Sequence, residues 1–160
     1  MRKFPPGVYG RQRMQFYPAP FRSPIRAFAA LVFPYQGDNV LVCDIEGRGW
    51  TIPSGRVEPS ESSLQAAIRE AQEAAGAELA DTPYIGCYRI SERGEVRWAD
   101  CFVARVAALG EIKMQEESRG RRFATDEELP ALYHWWSPLT ALVFQHAKEV
   151  YRRGEDRLAR

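Results

Sequence analysis

Glu70 and Glu73 stand three residues apart in the run Arg69-Glu-Ala-Gln-Glu-Ala-Ala-Gly76-Ala77, with Gly55 and Glu61 upstream of them. A helix would bring the two carboxylates to one face, because side chains three and four apart are neighbours on a helix surface. On that wheel Glu70, Glu73 and position 74 fall together, away from an apolar stripe of Leu64, Ala67, Ile68, Ala71 and Ala75. Carboxylate oxygens grouped this way suit a hard cation, Mg²⁺ or Mn²⁺, which stays partly hydrated and bridges protein carboxylates to a phosphate. Such an ion can neutralise a diphosphate, activate water and stabilise the leaving oxygen. Gly55 suits a loop where backbone approaches the ion or phosphate closely, with a φ that other residues resist. Arg69 is placed to brace the acidic cluster. Glutamates on a helix are commonplace; their combination with Gly55, Glu61, Arg69 and a closing Gly76 carries the signal.

The spacing resembles the Nudix box, G-x5-E-x7-R-E-U-x-E-E-x-G-U, where U is aliphatic. Where that pattern asks for the second glutamate of its pair, this chain has Ala74. The resemblance covers residues 55–77, and Trp50-Thr-Ile-Pro53 is similar to the strand leading into the box. It implies an α/β fold, an α/β/α sandwich with a mixed sheet. It also implies hydrolysis of a nucleoside diphosphate linked to another moiety, with Mg²⁺ or Mn²⁺ as cofactor. Gly55 matches the box glycine, Glu61 its first glutamate, Arg69-Glu70 its Arg-Glu pair, Glu73 the first glutamate of the adjacent pair and Gly76 its closing glycine. The resemblance therefore makes Glu70 and Glu73 metal-holding and catalytic, with Gly55 beside the metal and Glu61, Arg69 and Gly76 in support. It also implies a downstream glutamate that helps activate water. Glu116 and Glu117 are the candidates, with a solvated loop charge as the alternative. Arg56 and Arg122 are the expected substrate contacts. Ala74 removes a directional ligand and a unit of negative charge. Either the chain carries an inactivating substitution, or Glu73 recruits the metal together with the 116–117 loop. The expected function is a pyrophosphohydrolase impaired by Ala74; the alternative is a catalytically inactive nucleotide-binding or sensing module.

These residues need elements to hold them. A helix is predicted over 62–75, with Ser62 and Gln65 as a capping box and Gly76 at its end. Upstream, Ala27–Phe33 and Val40–Cys43 flank the turn Gln36-Gly-Asp-Asn39 and predict a hairpin. Trp50–Pro53 is a short extended piece. Downstream, Tyr84–Ile90 and Arg97–Val106 predict strands around Ser91-Glu-Arg-Gly94, then a polar loop over 115–122 and a short strand at 122–124. Thr125–Leu129 reads as a capped turn stopped by Pro130. A last helix is predicted over 138–153, with Leu139, Leu142, Val143, His146 and Val150 as its apolar stripe.

Residues 1–25 combine prolines and aromatics with Arg2, Lys3, Arg11, Arg13 and Arg22, and no acidic residue precedes Asp38. The prolines argue against helix or central strand, so this segment is expected as an extended arm before a single domain at 26–160. The arm packs on its own domain or on a second subunit of a homodimer. Basic residues among aromatics can also stack on bases, although a nucleic-acid partner is the lesser expectation.

The 160 residues, 45% hydrophobic and 27% charged, suit one globular domain. A net charge of +1 gives no argument for an anionic membrane, and no apolar run is long enough to span one. Cys43, Cys87 and Cys101 are odd in number and outside any C-x-x-C pair, so buried thiols in strands and a reducing cytoplasm are expected. There is no P-loop string, Gly47-Arg-Gly49 lacks the third glycine of a dinucleotide fingerprint, and Ser54 is not in a nucleophile elbow. His134 and His146 are too few for zinc, and His146 reads as a core histidine. Trp135 and Trp136 could stack on a base, with one of them expected to pack on the sheet instead. The expected partner is a small nucleotide-like diphosphate.

Overall fold

The computed structural model describes residues 3–158, so Arg2 of the arm lies outside the described residues. In chain order the elements begin with β1 (Gly7–Tyr9), β2 (Gln12–Pro18), β3 (Ala29–Gln36), β4 (Asn39–Ile45), β5 (Gly49–Thr51) and β6 (Ser54–Arg56). They continue with α1 (Ser63–Ala75), β7 (Ala77–Ala80), β8 (Tyr84–Glu92), β9 (Glu95–Leu109), β10 (Ser118–Ala124), α2 (Leu129–Leu132) and α3 (Pro138–Leu158). The main strands lie in the order β1-β2-β8-β9-β3-β4-β10, with β5 on β4, β6 on β3 and β7 on β9. β3 and β9 run parallel while their other neighbours pair antiparallel, so the sheet is mixed, as expected.

Alternation along the strands separates the two helical layers. Phe33, Tyr35, Val40, Val42, Cys101 and Val103 point into the core shared with Leu139, Val143, Phe144 and Ala147 of α3. Their neighbours Val32, Leu41, Cys43, Phe102 and Ala104 point the other way, against the alanines of α1. Each fully buried Val or Leu contributes about 1.5–3 kcal/mol, so the strand register is strongly fixed. All three cysteines are free and buried in strands β4, β8 and β9.

The hairpin of β3 and β4 forms as predicted, and α1 has the expected capping box, Ser62 with Gln65, and Gly76 in the left-handed region at φ 63°. Its buried face differs from the predicted stripe. Ala66, Ala67, Ala71, Ala74 and Ala75 are buried, while Ile68 is 41% exposed. Position 74 is three residues from Ala71 and seven from Ala67, which returns it to their side of the helix. The arm also differs from a bare extension. Pro5 and Pro6 precede β1, and Pro18 closes β2, which leaves Gln12–Tyr17 free to pair between β1 and β8. Pro130 does not stop a turn but sits in the first turn of α2, where its missing N–H is harmless. The last helix continues past 153 to Leu158.

Candidate active site

Ser62 caps α1 so that Arg69, Glu70 and Glu73 emerge opposite β6 and the loop behind it. Arg69 is the hub. Its Nε and Nη2 donate to the two oxygens of Glu61 at 2.7 and 3.0 Å, a forked contact that fixes the loop to the helix. Nη2 also donates to the Arg56 carbonyl at 3.0 Å, and Nη1 donates to Glu70 at 2.9 Å and Glu73 at 3.2 Å. Glu61 accepts the Glu58 backbone N–H as well. The Arg69 hydrogen bonds, then that backbone bond, hold its carboxyl down at about 2.

Glu70 meets the opposite surroundings. Its side chain is 12% exposed, and burial pushes its carboxyl above the usual range. Arg69 pulls the other way, while the charges of Glu73 and Glu117 add to the rise. The Glu70 carboxylate rests on Gly55, where a Cβ would collide with it. Gly55 pairs with Ala30 in β6, and its backbone lies outside the left-handed region, so the glycine gives room to the Glu70 carboxylate and does not serve an unusual φ.

Carbonyls of residues 73–76, at the end of α1, anchor the loop after β9 and the start of β10. Those of Glu73 and Gly76 accept the N–H groups of Met114 and Gly110 at 3.0 and 2.7 Å. Ala74 and Ala75 accept from Ser118 Oγ at 2.6 Å and Arg121 Nη1 at 2.9 Å. Groups that a helix end leaves unpaired are thus used to seat a loop. Ala74 lies under this seat, 3% exposed, and is part of the core behind α1. Glu117, exposed on the same loop, acts on Glu70 through its charge.

Gly55, Glu61, Arg69, Glu70 and Glu73 therefore converge, with Gly76 ending their helix. Glu116 is exposed on the loop beside Glu117. Arg56 contributes its carbonyl to Arg69 and leaves its side chain exposed. Arg122 is ion-paired with Glu128, which also accepts the Thr125 N–H. Sequence reasoning missed Arg26, whose Nη2 donates to the Glu58 and Glu61 carbonyls at 2.6 and 2.9 Å and pins the loop. The only sign of it was a basic stretch with no acidic partner nearby.

In chemical type the donor set fits a hard cation. Glu70 and Glu73 share one guanidinium that Glu61 also occupies, the Glu117 charge lies near, and burial leaves the Glu70 anion under-compensated. The set is sparse, however. Among the described residues no group of three or more His, Cys, Asp or Glu is gathered closely enough to hold a metal ion. Position 74, buried behind the helix as alanine, adds no oxygen to the set.

A cleft of about 190 Å³ opens beside the box, between the sheet and α3. Arg48, Ser54, His134, Trp135 and Tyr9 line it. Arg48 Nη1 donates to Ser54 Oγ at 3.3 Å; Ser54 and Gly55 are successive residues of β6, so cleft and carboxylates lie on opposite faces of one short strand. Burial, with the nearby Arg48 charge, lowers His134 to about 4 and keeps its ring neutral. Trp135 lines the cleft, while Trp136 packs on Phe144, 5.7 Å between ring centroids. Larger hollows lie along α3 and beside the loop after β9.

The same architecture recurs in known proteins. The Bacillus subtilis pyrophosphohydrolase BsRppH, crystallised as a mutant, is similar with a TM-score of 0.74 at 23% identity, covering 96% of this chain and 98% of that one. A Nudix hydrolase from Nitrosomonas europaea follows at 0.63 and 22%, covering 81% and 90%. In sequence, the chain is 30% identical over 98 residues to the Bacillus subtilis protein named "Putative 8-oxo-dGTP diphosphatase YtkD", covering 61% of this chain and 56% of that protein. It is 47% identical over 49 residues to the pig bis(5'-nucleosyl)-tetraphosphatase (asymmetrical), covering 31% and 33%. The chain thus spans about half the length of one curated relative and a third of the other. The NUDIX domain model matches residues 24–154, which contain the box, both helical layers and most of the sheet. By that match the chain belongs to the Nudix family.

Proposed function

We propose that this chain acts on the diphosphate bond of a nucleoside diphosphate linked to another moiety, and that Ala74 weakens its turnover. The carrying observation is the Glu70 carboxylate seated on Gly55, with Glu73 and Glu117 adding to its negative surroundings. Members of the family usually need a divalent metal. Here Glu70 and Glu73 would hold it, and when bound it would neutralise the diphosphate and activate water. The chain's own residues do the remainder. Arg69 and Arg26 fix the loop, Glu70 and Glu117 offer carboxylates to an attacking water's proton, and Arg48 faces the substrate's phosphates at the mouth of the cleft. The names of the two curated relatives, a diphosphatase and a tetraphosphatase, support the same substrate class. Free, buried thiols support a cytoplasmic setting. Among the described residues no helix is long and apolar enough to cross a membrane.

A nucleotide-binding module without turnover is the second reading. Arg69 bridging both remaining carboxylates, with a buried alanine in the third position, favours it. Ala74→Glu separates the two. Under the hydrolase reading it raises Mg²⁺-dependent release of phosphate from a panel of nucleoside diphosphate derivatives at least about ten-fold, one charge-assisted contact's worth of barrier. Equal turnover by the two forms overturns the role given to Ala74. Nucleotide binding without turnover in the parent chain decides for the module.

A further inference from the structure

We infer that the hairpin of β1 and β2, which precedes the matched domain at 24–154, is the specificity element of the cleft, with Tyr9 stacking on a heteroaromatic base and Gln12 reading its edge. The inference rests on the cleft being the nucleoside end of the proposed diphosphate site.

Three observations carry it. First, the hairpin is fastened over the cleft by contacts of its own. Trp135 Nε1 donates to the Val8 carbonyl at 3.0 Å, and the Tyr9 hydroxyl meets His134 Nδ1 at 3.4 Å. Gly7 lies so close to Trp135 and Leu139 that a Cβ would stand 3.1 and 3.2 Å from their side chains. Second, Tyr9 and Gln12 are register partners across the Gly10-Arg11 turn, and both line the cleft. The hairpin tip therefore offers a ring and, beside it, an amide that can donate and accept. Third, the cleft is lined by apolar, aromatic and hydroxyl side chains, with Arg48 as its charged one. The Tyr9 ring lies 5.5 Å from His134 and 5.6 Å from Trp135, and Tyr9 is 37% exposed, so part of it stays open. His134 stays neutral at physiological pH, and Arg48 stands on the side of Ser54 and Gly55. A flat, uncharged ring at one end and an anion at the other is the chemistry of a nucleoside phosphate. A cleft of about 190 Å³ is smaller than the roughly 300–1,000 Å³ of drug-sized pockets, and suits one ring system and not two.

Isothermal titration of ADP, GDP, CDP and UDP in the presence of Mg²⁺, with inorganic pyrophosphate as the ligand lacking a base, tests the assignment. Tyr9→Ala weakens the nucleoside diphosphates about ten-fold, the size of one base–aromatic stack, and leaves pyrophosphate unchanged. Tyr9→Leu, which keeps apolar bulk on Trp135, shows the same loss, and Tyr9→Phe keeps the parent affinity. Gln12→Ala flattens the ranking among the four bases. Parent-like affinities in Tyr9→Ala and Tyr9→Leu, or a loss shared equally by pyrophosphate, overturn the hairpin's role. If the parent chain binds nucleoside diphosphates no more tightly than pyrophosphate, the cleft is not a nucleoside site, and the reading beneath the inference fails with it.

Discussion

Glu61 and Glu70 are held by one guanidinium, yet their surroundings push them in opposite directions. At the loop end, Glu61 takes the forked Arg69 contact and a backbone N–H, and is held down at about 2. At the helix end, Glu70 has a single bond from the same arginine, lies against Gly55 and is raised by burial. The difference teaches which carboxylate is structural. A group whose charged form is satisfied twice over has no reason to exchange partners, whereas an under-compensated anion facing a glycine-made space is ready for a cation or a proton.

Removing Arg69 strikes both ends at once and has the largest expected effect. Arg69→Ala leaves the largely buried Glu70 without its donor and frees the 56–61 loop, a loss of roughly 2 kcal/mol, less than for a fully buried pair because Arg69 is itself part-exposed. Urea denaturation at neutral pH measures it, and a loss below about 1 kcal/mol, the level of an exposed pair, would show that Arg69 is not the hub.

Gly55→Ala separates the two ends, because its Cβ displaces Glu70 and leaves Glu61 alone. The expected cost is about 1 kcal/mol, the low end for overpacking, because the group that gives way is the end of a flexible side chain. Any turnover or Mn²⁺ binding should fall with it, while a melt of Glu61→Gln in the Gly55→Ala background should show the same Glu61 contribution as before. Unchanged Mn²⁺ affinity would put the ion elsewhere.

The smallest effect is in the pH dependence. Because Glu61 is depressed in the folded chain, its contribution to stability is complete above an ordinary 4.5 and disappears as pH falls through about 2. The melting-temperature gap between the parent and Glu61→Gln should therefore be constant above that window and close within it. Glu70, raised by folding, carries the reverse sign, so Glu70→Gln should gain relative stability as pH rises through 4.5. Gaps of one sign for both variants would mean that the two ends are alike.

Much of the box was legible because its residues are local. Ser62, Gln65 and Gly76 set the helix by short-range capping, and a fixed helical rise then places Arg69, Glu70 and Glu73. Position 74 was misplaced for a related reason. It lies on the border between the acidic edge and the buried stripe, and a wheel cannot tell which way a border residue turns until the loop after β9 is seated on it. Tyr9 and Gln12 were read only as parts of a basic, aromatic arm, since the residues they approach, His134 and Trp135, come from the opposite end of the chain.

What the sequence determined by itself was which residues of one loop and one helix come together: Gly55, Glu61, Arg69, Glu70 and Glu73. Hydrogen-bond reach along a helix spans only a turn, so spacing alone is enough for that. Only the tertiary structure decided that the Glu70 carboxylate fills the room at Gly55, that Ala74 is buried, and that the arm closes one wall of a cleft on the α3 side of the sheet. Each of these depends on segments far apart in sequence being pressed together by the two cores on either side of the sheet.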